Sequence, residues 1–162
     1  MGASGAGCTV EFLPALHRSS QFVQFIKEEN MALFEWSDEL SVGNQFIDSD
    51  HKKLIKLVND FHDAMEQGRG NEVIGKVLNN LIIYTKEHFQ REQDEMQKIK
   101  YPRYLAHKLE HEKLIREVMD LQENFSSGKA LLSIKVSKFL RDWLLTHILQ
   151  TDKLLADALR QA

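Results

Sequence analysis

What most limits the fold of this chain is a helical rhythm that returns four times. From Asn44 to Gln67, Ile47, His51, Leu54, Val58, Phe61 and Met65 recur at steps of three and four, so they share one helix face. Asp48 and Asp50 near the start suit the positive end of that helix's dipole, and Gly68-Arg69-Gly70-Asn71 breaks the run. A second run from about Asn71 to Lys100 carries Val77, Leu81, Tyr84, His88, Glu92, Glu95 and Ile99, and Pro102 stops it because the residue before a proline is pushed out of helical geometry. A third, from about Tyr104 to Phe125, carries His107, His111, Leu114, Val118, Leu121 and Phe125 and closes at Ser126-Ser127-Gly128. A fourth, from about Ala130 to Leu159, carries Leu132, Val136, Leu140, Trp143 and His147. No stretch alternates for long in the manner of a strand. Four helices with short connections predict an all-α, up-down-up-down antiparallel four-helix bundle over residues 31–162. Residues 1–30 lie outside the rhythm as an N-terminal extension, in which Phe22, Phe25 and Ile26 mark a candidate short amphipathic helix between Ser20 and Asn30.

Composition removes several function classes. The 162 residues suit one domain, and 21 basic against 24 acidic residues, net −3, argue against nucleic acid or a polybasic membrane surface as partner. A single cysteine, Cys8, rules out an internal disulfide framework and a Cys-based zinc or iron–sulfur site. No apolar run reaches the ~18 residues of a membrane span. The start of the chain has no basic n-region, and Ala6 stands where a myristoylation signal wants Ser or Thr, so the expected location is the cytoplasm.

The anomaly is polar. Five of the seven histidines, His51, His88, His107, His111 and His147, fall on the inward stripes. In an up-down bundle the start of the first helix, the end of the second, the start of the third and the later half of the fourth all lie at one end, so these five converge at one level. Glu92 joins them from the face of His88, about 40° round and ~6 Å along. Asp152 follows His147 by five residues, about 140° round an ideal helix. Either the pair straddles a site between helices, or the helix widens there into a π-bulge, a feature that favours functional sites.

A lone inward histidine is usually a hydrogen-bonded core residue, a His-x-x-x-His pair is often half exposed, and His88 with Glu92 alone suits a helix salt bridge. Together they demand five buried imidazoles and two buried carboxylates at one level, and burying an unpaired charge costs several kcal/mol. A metal centre removes that difficulty. Five nitrogens and two carboxylates are too many for one ion and suit two ions bridged by the acids. Imidazole donors without thiolates favour iron, zinc or copper. A shell rich in histidine and poor in carboxylate should favour high-valent states less, which points to reversible dioxygen binding over oxygen activation. His62 shares the face of His51 but lies ~16 Å further along, so it is expected to be a core or groove residue. His17 lies in the extension, on no stripe.

Leu33 to Leu54 (LFEWSDELSVGNQFIDSDHKKL), His88 to Met96 (HFQREQDEM), Tyr101 to His111 (YPRYLAHKLEH) and Phe139 to Asp152 (FLRDWLLTHILQTD) resemble the hemerythrins, most closely their bacterial members. The likeness covers about residues 33–160. It implies a non-haem di-iron centre, two iron ions (Fe2+/Fe3+) with an oxo or hydroxo bridge, that binds O2 reversibly. His107, His111 and His147 would hold one iron, His51 and His88 the other, and Glu92 and Asp152 would bridge them. The expected O2 pocket wall is Leu54, Phe89, Trp143, Leu144 and Ile148, all within about a turn of a ligand; Leu, Phe and Trp at such spacing are also ordinary core. Asp50 stands where many relatives have Gln, and Gln93 where many bacterial ones have a second acid. Neither departure removes a ligand.

The leading expectation is therefore an oxygen carrier, store or sensor, monomeric and without a known protein partner. The rival is enzymatic: a di-iron oxidase, peroxidase or nitric oxide-handling protein. It needs substrate access and a proton donor near the iron of His51 and His88, where the resemblance implies an open position, and His62 and Tyr84 are the nearby candidates.

Overall fold

The structure is a computed structural model that describes residues 32–129 and 131–162. The expected helix around Phe22, Phe25 and Ile26, the extension with Cys8 and His17, and Ala130 lie outside the described residues.

A 3₁₀ turn, Asp38–Leu40, leads into helix α1, Gln45–Glu66. Helix α2 spans Asn71–Lys98 and α3 spans Tyr104–Ser126. Helix α4, Ile134–His147, runs through a π-helical turn, Ile148–Asp152, into α5, Lys153–Gln161. Backbone angles at Ile148 and Lys153 stay in the right-handed helical region, so α4, the π turn and α5 are one uninterrupted rod. The fold is a four-helix bundle without strands among the described residues, and no described helix is long and apolar enough to cross a membrane.

Side-chain chemistry sets the helix ends. The Asn44 side chain accepts from the Phe46 and Ile47 amides at 3.0 and 3.2 Å, satisfying two orphan donors of α1. Asp48 turns back: its carboxylate accepts from the Ser41 hydroxyl at 2.6 Å and the Val42 amide at 2.8 Å, which pins the incoming chain. At the far end Gly68, at φ +59°, lets its own amide reach the Met65 carbonyl and that of Arg69 reach Ala64. Helix α2 stops the same way, but with Lys100 at φ +52°, a conformation that costs a non-glycine residue about 1 kcal/mol. The stop therefore falls before Pro102, which lies just outside the capping turn.

The inward stripes hold, with local shifts. In α2 the deeply buried residue near the C-terminus is Met96, and Glu95 is only half buried. In α1 Ala64 is buried where Met65 is half exposed. Helix α4 starts at Ile134, four residues later than expected, so Leu132 packs from the connection. One end of the core is filled by apolar residues such as Phe61, Leu78 and Val118; the other end is polar.

Candidate metal centre

His51, His88, His107, His111 and His147 do meet, and all five are at most 4% exposed. Glu92 and Asp152 join them at 1% and 0%. Asp152 arrives through the π turn: the wider turn brings it back towards the face of His147, which resolves the 140° discrepancy in favour of the bulge. The donors form two groups, Glu92 with His107, His111, His147 and Asp152, and His51 with His88, Glu92 and Asp152. Within each, the donor atoms lie within 4.8 Å of one another. The two acids belong to both.

How the acids are shared is specific. Glu92 turns Oε1 to His88 Nε2 at 3.5 Å and Oε2 to His111 and His107 Nε2 at 3.3 and 3.7 Å. Asp152 turns Oδ2 to His51 Nε2 at 3.1 Å and Oδ1 to His147 and His107 Nε2 at 3.1 and 3.2 Å. Each carboxylate thus offers one oxygen to each group, and every imidazole aims Nε2 inward. The Nε2 atoms of His111 and His147 are 2.9 Å apart.

Nine buried polar atoms of these residues have no hydrogen-bond partner among the described residues: both nitrogens of His51 and His107, Nδ1 of His111, and all four oxygens of Glu92 and Asp152. An orphaned buried polar atom costs about 1–3 kcal/mol, more when charged. Six of them, Nε2 of His51 and His107 and the four carboxylate oxygens, approach one another closely yet miss hydrogen-bond alignment because they aim at shared points. Neighbouring ligands bound at about 2.1 Å around an octahedral ion sit roughly 3 Å apart, close to what this cluster shows. The residues present fit metal ions.

Charge tells the same story. Burial, and for Glu92 the neighbouring Asp152 charge, work against ionising Glu92 and Asp152, but the charges of His88 and His147 and the close approach of the other imidazoles outweigh this and hold both below the usual carboxylate range. Burial drives His111 down to about 4. It also acts against a proton on His147, where Asp152, Glu110 and Glu92 overcome it and push the group up to about 10. Without cations, imidazolium protons must balance the buried acids.

Outside the cluster, two further carboxylates steady it. Asp50 is buried and lies 3.4 Å from His88 Nδ1. Glu110 accepts from His147 Nδ1 at 3.1 Å and from the Thr151 hydroxyl at 3.0 Å. By sequence Asp50 suits the helix dipole, and Glu110 is not among the expected site residues. A signal existed: each precedes a cluster histidine, about 100° round the helix, and so faces a histidine on the neighbouring rod. The signal is not sufficient, because Glu87 precedes His88 and is exposed, 3.9 Å from Arg91.

Aromatic rings close the inner side. Phe89 stacks on His111 at 3.6 Å with 2° between planes, and Trp143 stacks on His147 at 4.4 Å and 15°. Beside them lies an apolar cavity of about 30 Å³ whose walls include Leu54, Phe89, Trp143 and Leu144. Ile148 is fully buried but does not line it. Its one polar wall residue, Thr85, donates its hydroxyl to the Leu81 carbonyl at 2.8 Å. His62 is in neither donor group; its nitrogens face Ser137 Oγ at 2.9 Å and Glu66 Oε1 at 3.2 Å.

Fold and site together define an all-α bundle built around a buried donor cluster able to hold metal ions. Residues 42–159 match the family described as hemerythrin HHE cation binding domain, and the chain belongs to the hemerythrin family. It is 42% identical over 125 residues to a bacteriohemerythrin of Methylococcus capsulatus, covering 76% of this chain and 95% of that one. A bacteriohemerythrin of Pseudomonas aeruginosa is 35% identical over 132 residues, 82% and 85% of the two chains. A crystal structure of wild-type hemerythrin matches with a TM-score of 0.76 and 40% identity, over 79% of this chain and 98% of that one.

Proposed function

We propose that this chain binds dioxygen reversibly at a pair of non-haem iron ions, as a cytoplasmic carrier, store or sensor, with residues 31–162 as the binding domain and 1–30 as an extension. The observation that carries the reading is the divided carboxylate: Glu92 and Asp152 each turn one oxygen to His51 or His88 and the other to the group of His107, His111 and His147. One acid with both oxygens on one group would suit a single ion; this division suits two.

In this reading His107, His111 and His147 hold one iron and His51 and His88 the other. The second group has one histidine fewer, which leaves room for a small ligand. When bound, the iron pair supplies the two electrons that dioxygen takes up on binding and returns on release. The protein supplies the surroundings. Phe89 and Trp143 fix the planes of His111 and His147 by stacking. Leu54, Phe89, Trp143 and Leu144 wall an apolar cavity large enough for one small molecule and poor in partners for water. Such walls slow the escape of a charged product and so favour return of neutral dioxygen. Ile148 supports the wall from within the core, not at the cavity surface.

An enzymatic role needs an acid aimed at the cluster. His62 is engaged by Ser137 and Glu66, and the Tyr84 hydroxyl donates to Asp50 at 2.6 Å. That supports binding over catalysis. The test is to reduce the purified protein anaerobically, admit O2 and remove it, with metal analysis alongside. The expected result is two irons per chain and an absorption spectrum that forms and reverses. Zinc alone, or one metal per chain, overturns the di-iron reading; a spectrum that only decays to the oxidised state overturns reversible binding.

A further inference from the structure

Among the groups that the binding chemistry does not itself use, the most elaborate surrounds Asp50. Its side chain is 7% exposed and touches three residues of one stripe of α2, Tyr84, His88 and Arg91, spaced by four and three. Oδ1 accepts from the Tyr84 hydroxyl at 2.6 Å. Oδ2 accepts from Arg91 Nε at 2.7 Å, lies 2.7 Å from Arg91 Nη2, and faces His88 Nδ1 at 3.4 Å.

We propose that Asp50 is a positioning residue that sets the donor strength of His88, and that Tyr84 and Arg91 regulate how strongly it does so. The proposal rests on the iron reading above. A carboxylate surrounded by donors can only accept, so the proton shared with His88 belongs on Nδ1. The Nε2 lone pair is then free and points at Glu92 and the cluster. An anion behind a metal-bound imidazole raises its basicity and fixes its ring. Here the contact at 3.4 Å is longer than an ordinary N–H···O bond, because two stronger donors hold the same carboxylate. Removing the anion weakens His88; removing a competing donor frees charge on the carboxylate and strengthens it. Glu110 stands behind His147 in the same manner, but its side chain is 49% exposed, so water competes for it and its influence is smaller.

The predicted signature is a pair of opposite signs. In the iron-loaded protein, Asp50→Asn raises the reduction potential and speeds iron loss to a chelator by roughly tenfold. Tyr84→Phe lowers the potential and slows that loss. Thermal melting of both variants reports folding separately; a purely structural role lowers both melting points and moves the potentials alike or not at all. Arg91→Gln is the second competing-donor variant and should follow Tyr84→Phe if that protein fails to fold. Wild-type iron content with potentials that stay put, or move in the same direction, overturns the role of Asp50 and leaves the di-iron reading intact. A wild-type protein that takes up no iron removes both.

Discussion

His51 and His62 lie on the same helix, eleven residues apart, at 0% and 6% exposure. His62 has a hydrogen-bond partner at Nδ1, Ser137 on α4, and its Nε2 lies 3.2 Å from the exposed Glu66 carboxylate one turn along. His51 has none in hydrogen-bond geometry among the described residues, although Asp152 is 3.1 Å away. At His62's end of the bundle the polypeptide solves the problem of a buried imidazole by itself. At the other end three imidazoles, His51, His107 and His111, and both acids keep unpartnered atoms, while the Nε2 atoms of all five imidazoles aim at shared points. A donor set that is buried, charged and unsatisfied, yet geometrically ordered, is arranged for something other than polypeptide.

Substitutions at the two ends should separate these cases. The largest effect is expected from Glu92→Gln, which replaces a shared anionic oxygen by an amide nitrogen with no lone pair to give. Iron content should fall below half of the wild-type value, measured by elemental analysis after anaerobic loading; full occupancy would break the contrast between the ends. Next is Leu144→Ala, where a buried wall residue beside the apolar cavity is cut back. It should cost about 2–5 kcal/mol in chemical denaturation and speed autoxidation; an unchanged autoxidation rate removes Leu144 from control of the cavity.

Proton competition sharpens the contrast further. In the metal-free protein His88, His107 and His147 are raised, His147 to about 10. Groups raised in this way stabilise the fold fully below their unfolded value of ~6.5 and lose that contribution as pH climbs through the folded value. Glu110, lowered to about 2 by its bonds to His147 and Thr151, acts in the opposite sense and loses its contribution as acid is added. Melting points of the metal-free protein should therefore decline between about pH 7 and 10. Iron loading should flatten that decline, because nitrogens bound to metal carry no proton; parallel curves would count against the cluster as the metal site. The smallest effect is expected from His62→Gln, which should cost about 1–2 kcal/mol with unchanged iron content.

Much of this was legible in the chain itself. Helical rotation is a local property, so the stripes of α1, α2 and α3 and the convergence of their histidines follow from spacing alone. The spacing of His147 and Asp152 left two readings open, a site straddled between helices and a π-bulge. Other features were not legible. The burial of Met96 in place of Glu95 depends on where neighbouring rods touch α2. The inward turn of Asp50 depends on Tyr84 and Arg91 meeting it from another helix.

From residue order come the four rods, their alternating polarity and the seven donors at one end, because the stripes depend on rotation and rise along each helix and the short connections force neighbouring rods antiparallel. Packing alone decided that Glu92 and Asp152 divide their oxygens between two groups, that the rod after His147 takes the π turn, and that Asp50 and Glu110 stand behind histidines of other helices. Those outcomes rest on the relative azimuth and depth of rods distant in sequence, which no periodicity within one rod encodes.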